Sequence, residues 1–157
     1  MSEKLSHIND DGNAHMVDVS DRDVSQRSAS ASGKVLLSKS VLSLIAEGKT
    51  PKGDVLATAR IAGIMGAKKT PELIPLCHPI SISSVNVDLE IADDGVNIYS
   101  TVKISDRTGV EMEALTAVSI AALTIIDMTK ALDPGATIKN IQVDEKDGGR
   151  NGHWKRT

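Results

Sequence analysis

Four short segments carry side chains of the kinds that chemistry uses. They are Lys52-Gly53-Asp54, Leu76-Cys77-His78, Glu111-Met112-Glu113 followed by Asp127 and Lys130, and Lys146 to Arg150 in a glycine-rich run. Carboxylates and lysines in one site suit general acid–base work and the binding of phosphate. Lys52 and a flexible Gly53 stand just before an expected helix, a common setting for an anion, although alone such a lysine is as well read as solvated. In Cys77-His78 adjacent side chains of an extended segment point to opposite faces and share a proton poorly, so Cys77 reads as core filler. His78 reads either as a hydrogen-bonded core histidine or as a general acid/base. The run Lys146-Asp147-Gly148-Gly149-Arg150-Asn151-Gly152 lacks the Gly-Lys-Ser/Thr ending of a phosphate-binding P-loop. It is either a frayed end or a flap that closes on phosphate.

Asp127 and Lys130 belong to a long expected helix, from about Glu111 to Leu132. Its stripe Glu113, Thr116, Ile120, Leu123, Asp127 and Lys130 has polar ends and an apolar middle. At ~1.5 Å per residue Glu113 and Asp127 lie about 21 Å apart, so one copy cannot place both in one small site. Two copies crossed antiparallel between Ile120 and Leu123 would set position 113 against position 130, as in an isologous dimer. The simpler reading is an i,i+3 ion pair on a solvated face, weakened because the rest of the helix is apolar nearly all round.

The elements that must hold these residues follow from periodicity and breakers. Residues 1–33 read as a polar arm, in which SQRSASASG has too little apolar material to order itself. A strand from Val35 and a helix ending at Gly48 come next, then a helix over 54–68 capped by Asp54. Pro71, Pro75 and Pro79 chop TPELIPLCHP into turns. Residues 80–91 form a strand with one phase slip at Ser83-Ser84, Asp93-Asp94-Gly95 turns the chain, and Val96 to Ile104 returns. After the long helix, Ile138, Ile141 and Val143 give a last strand. This order predicts one α+β domain over 34–145, helices on one face of a mainly antiparallel sheet, and a flexible glycine-rich tail over 146–157.

Composition narrows the partners. The chain of 157 residues has 18 Lys+Arg against 21 Asp+Glu, a net charge of −3, and one Trp, one Tyr and no Phe. An acidic chain with two aromatics has little to stack bases on, which argues against nucleic acid. The single cysteine excludes an internal disulfide and a multi-thiolate metal site, and His7, His15, His78 and His153 do not follow a zinc spacing, so no metal site is expected. With neither an apolar run of about 20 residues nor a secretory leader visible, the expectation is a cytoplasmic protein without a membrane partner.

The segments HMVDVS (15–20), KGDVLATARIAGIMGAKKTPELIPLCHPI (52–80), TGVEMEALTAVSIAALTIIDMTKALD (108–133) and KDGGRNG (146–152) together resemble, in order and spacing, the molybdenum cofactor biosynthesis protein C family, the cyclic pyranopterin monophosphate synthases. The resemblance implies a ferredoxin-like subunit in a homohexamer of three dimers with sites between subunits. It implies a lyase that converts 3′,8-cyclo-7,8-dihydroguanosine 5′-triphosphate into cyclic pyranopterin monophosphate and pyrophosphate. Carried over by motif, Asp127, Lys130 and Lys52 are catalytic, while Leu76, Cys77, His78, Glu111, Met112, Glu113, Lys146 and Arg150 bind substrate. Arg27 in the arm is a further match to a family basic residue. No cofactor is implied, with Mg²⁺ only a counter-ion to the triphosphate. Arg150 and Asn151 depart from the family's usual lysine and serine, which alters donor geometry in the tail. The alternative class is a non-enzymatic α+β module that binds a nucleotide without turning it over.

Overall fold

Strand β1 (Ser25–Leu36) is the centre of the sheet in the computed structural model, which describes residues 6–157. It pairs antiparallel with β3 (Gly95–Asp106) on one side and β4 (Thr137–Asp147) on the other. The outer strands are β2 (Ile82–Ala92) and β5 (Trp154–Lys155), giving the order β2-β3-β1-β4-β5. Helices α1 (Lys39–Ala46), α2 (Val55–Lys68) and the single turn α3 (Thr70–Leu73) link β1 to β2, and α4 (Glu111–Thr129) links β3 to β4. Two interleaved βαβ units with the first strand central make the ferredoxin-like α+β arrangement, extended here by β5.

The central position of β1 overturns the expectation that SQRSASASG cannot order itself, and the boundary drawn at residue 33 falls inside this strand. The first five residues of the expected arm lie outside the described residues. Alternation decides the matter: Ala29, Ala31 and Val35 are buried under the helices while Ser28, Ser30 and Ser32 face the other side. Backbone hydrogen bonds on both edges supply what the small side chains lack. The tail is likewise no frayed end. After the glycine run it pairs Lys155 with Glu145 and Trp154 with Lys146, and the Arg156 guanidinium lies 5.5 Å over the Trp154 ring.

Several local expectations stand. Asp54 Oδ1 accepts the Ala57 amide at 2.9 Å and starts α2. The register of β2 on β3 shifts between Ile82 and Ser84, and the Asp93-Asp94 turn joins the two strands. The proline-chopped segment holds one helical turn, α3, because Pro71 occupies a first-turn position where its missing N–H is not needed. Helix α4 stops at Thr129, after which the Leu132 and Asp133 amides turn back onto the Thr129 carbonyl.

Helix α4 also corrects the expectation that no long apolar run exists: its mean hydropathy of 1.5 and its length would suffice to cross a membrane. Here that composition serves a core position, with Ala114, Ala117, Val118, Ala121, Ala122 and Ile125 fully buried between the sheet and α2. Small residues set the spacing. A Cβ on Gly63 of α2 would stand 2.9 Å from the Ala117 carbonyl oxygen and 3.3 Å from the Ala121 Cβ. Gly63→Ala is therefore expected to force the helices apart at a cost of about 1–3 kcal/mol. The midpoint of thermal unfolding would fall by several degrees, and an unchanged midpoint would show that the α2–α4 contact is looser than described.

Candidate active site

Charged side chains gather at both ends of α4. At its C-terminal end Lys130 Nζ donates to Asp127 Oδ1 at 2.6 Å, and Lys52 Nζ donates to Asp127 Oδ2 and to the Asp127 carbonyl oxygen, each at 3.0 Å. Lys52 arrives there because Asp54 starts α2 just after it and α2 packs along α4. The last carbonyls of a helix lack amide partners and carry the negative end of its dipole, which favours an ammonium. The hydrogen bonds from Lys130 and then Lys52 hold Asp127 below the usual carboxylate range. It is thus ionised at neutral pH, able to accept a proton or to anchor two lysines. The expected i,i+3 pair exists, but with a third member from another element.

At the N-terminal end of α4 lies an open cavity of about 850 Å³. Leu76, Cys77 and His78 line one part of its wall, Glu111, Met112 and Glu113 another, and Lys146 and Arg150 a third. Lys146 Nζ reaches Glu111 Oε1 at 3.0 Å. His78 Nε2–H donates to the Val17 carbonyl at 2.6 Å, which leaves Nδ1 as acceptor in the neutral ring. Cys77 is half-buried in this wall, so the core-filler reading is corrected. Burial, and secondarily the Glu113 carboxylate, push its thiol up, away from the reactive thiolate. Among the described residues no three His, Cys, Asp or Glu side chains converge as metal ligands.

None of Lys52, Asp127 and Lys130 lines this cavity. One chain therefore brings together eight of the eleven expected site residues at one end of α4 and the other three at the far end, as the helix length requires. Between them the helical layer exposes Leu123 (55%), Ile61 (58%) and Met65 (52%).

The cavity also takes in residues beyond the eight expected to bind substrate there. Val17, Asp21 and Arg22 line it from the arm, and Arg27 from the start of β1. Arg27 Nε donates to the Asp106 carbonyl at 3.2 Å, while Gly148 and Gly149, at φ of 89° and 77°, leave no room for side chains, the first against the Gln26 carbonyl and the second against the Arg27 guanidinium. A Cβ on Gly149 would stand 2.9 Å from the guanidinium carbon. The sequence signals for these were the matching segment HMVDVS (15–20) for the arm and, for Arg27, its match to a family basic residue, with the Ala29, Ala31, Val35 alternation marking the strand that carries it.

Glu113 is only 3% exposed, and burial, with Glu111 adding repulsion, raises its carboxyl to about 6. A carboxyl whose folded value lies above its unfolded one weakens the fold as pH rises from below 4.5 through about 6. Glu113→Gln is expected to gain stability relative to the parent between pH 4 and pH 8, by on the order of 1–2 kcal/mol. Denaturant unfolding at the two pH values measures this, and a difference independent of pH would mean that Glu113 ionises freely.

Comparison with known proteins places these residues in context. The model of the MoaC family matches residues 16–149. A Streptomyces avermitilis protein named cyclic pyranopterin monophosphate synthase is 62% identical over 155 residues, 99% of this chain and 91% of the relative. Proteins of the same name from Streptomyces coelicolor and a Nocardioides species are 59% and 58% identical, covering 99% and 98% of this chain and 91% and 96% of their own lengths.

Proposed function

The chain belongs to the MoaC family, and we propose that it is a cyclic pyranopterin monophosphate synthase, a lyase of molybdenum cofactor biosynthesis. Its substrate on this reading is 3′,8-cyclo-7,8-dihydroguanosine 5′-triphosphate, and its products are cyclic pyranopterin monophosphate and pyrophosphate. The observation that carries the reading is the convergence of separate matching segments: 76–78, 111–113 and 146–150 onto one cavity, and Lys52 onto Asp127 and Lys130. The cavity volume falls in the range of small-molecule sites.

The reaction needs a triphosphate held, ring C–N bonds opened and re-formed with proton transfers, and a hydroxyl directed onto the α-phosphorus so that pyrophosphate leaves. Lys146, Arg150 and Arg27 supply cationic donors for phosphate, and magnesium would enter only with the triphosphate. Ionised Asp127 takes the proton, oriented by Lys130. Lys52, on the other carboxylate oxygen, donates a proton or neutralises charge developing on phosphate. His78, Cys77, Glu111 and Glu113 hold the ring and the ribose hydroxyls, without an aromatic platform.

The split between the two ends of α4 supports a site completed by a second copy. Antiparallel crossing near the exposed Leu123 would set Lys130 against Glu113 and Asp127 against Thr116 of the other chain, since each pair averages to the same midpoint. Three such dimers make the proposed hexamer. The protein acts in the cytoplasm on a diffusible nucleotide, with neither nucleic acid nor membrane as partner.

Incubation with the cyclic nucleotide triphosphate and detection of pyrophosphate separates this enzyme from a module that only binds nucleotide. Asp127→Asn and Lys52→Ala are expected to fold, bind and lose about 100-fold or more in product formation; full activity in either removes that residue from the chemistry. Mixing inactive Glu113→Gln with inactive Asp127→Asn protein after reversible dissociation is expected to restore roughly a quarter of parental activity, because half the dimers are hybrid and each has one intact site. No recovery would place each site within one subunit.

A further inference from the structure

Gly109 sits in the cavity wall two residues before Glu111, where β3 hands over to α4. Its φ lies outside the left-handed region, so φ is not what calls for glycine there. What glycine supplies is space. A Cβ at this position would collide with Glu111 Oε2 and stand 3.0 Å from its Cδ and 3.2 Å from Oε1. The Glu111 side chain therefore folds back across its own chain, over the place a Cβ would take, and in that pose Oε1 meets Lys146 Nζ at 3.0 Å. Both partners are partly buried, Lys146 at 31% and Glu111 at 29% side-chain exposure.

We propose that Gly109 is a positioning residue of this site, reserving the volume in which the Glu111 carboxylate folds back to hold the Lys146 ammonium at the cavity wall. The contact joins the first turn of α4 to the end of β4, where the glycine run begins. A lysine has large rotamer entropy, and one held before the ligand arrives does not lose that freedom on binding. A methyl group at 109 displaces only the end of a flexible side chain, so its effect is on the placement of Glu111 and Lys146 and not on the fold.

The inference rests on the synthase reading, and the experiment keeps the two apart. Parental protein that releases no pyrophosphate from the triphosphate overturns the reading; the role of Gly109 is then still measured by calorimetric binding of inorganic pyrophosphate. In an active parent, Gly109→Ala is expected to raise KM on the order of tenfold, the loss of one charge-assisted contact, while kcat changes by less than about threefold. Pyrophosphate affinity is expected to fall by a similar factor. The decisive arm repeats the substitution in a Glu111→Ala background, where no carboxylate remains to collide. There Gly109→Ala is expected to change neither KM nor pyrophosphate affinity further. An equal penalty in both backgrounds, or none in the parent, overturns the proposal. Should Gly109→Ala alone fail to fold, folding of the double variant supports the collision with Glu111, and failure of both overturns it.

Discussion

Close approach of α4 to its neighbours on two sides is the constraint from which the rest of this structure follows. The helix lies on β1, β3 and β4 and against α2 at once. Ala114, Ala117, Val118, Ala121 and Ala122 of the helix are fully buried, with Gly33 of β1 against Val118, Gly63 of α2 against Ala117 and Ala121, and Gly66 of α2 against Ile120. Ala29 and Ala31 of β1 and Ala59 and Ala67 of α2 are buried in the same core. With so little side chain in between, the backbones stand near and the contact tolerates little added volume. This also explains a core almost without aromatic rings: a large ring would separate layers that the small residues hold together. Because α4 is fixed along its length, the groups at its two ends have fixed positions.

Those groups answer to electrostatics at the helix ends. Lys52 and Lys130 share the Asp127 carboxylate where the helix dipole is negative, and α2 brings Lys52 there from a distant part of the chain. At the other end Glu111 is matched by Lys146, while the more deeply buried Glu113 is raised toward neutrality by its surroundings. A net charge of −3 is thus no measure of the charge at the cavity, because carboxylates that make the chain acidic hold lysines and because Arg27 and Arg150 add cations to its wall.

Much of this was legible beforehand, and the reasons differ by element. Asp54 before an alanine-rich run marks the start of α2, and the phase slip at Ser83-Ser84 marks the register shift of β2, since cap and pleat are local signals. The apolar length of α4 was legible as a helix. Strand β1 was not legible in full, because its stability comes from hydrogen bonds to two partners far away in sequence, and serine and alanine carry little strand preference of their own. Strand β5 escaped for the same reason: two residues gain a place only by pairing with β4 and by the Arg156 and Trp154 contact.

The candidate site divides in the same way. The residue types and their motifs, from Lys52 through Arg150, were determined by the sequence itself, as was the separation of Glu113 from Asp127, since helix rise depends on residue number alone. Only the tertiary structure decided that Lys52 joins Asp127 and Lys130 into one charged group, that Arg27 and the arm reach the cavity, and that Cys77 faces it. Each of those outcomes depends on which elements pack together and how closely. That distance is set by the small residues between α4, α2 and β1, and local spacing along a chain carries no measure of it.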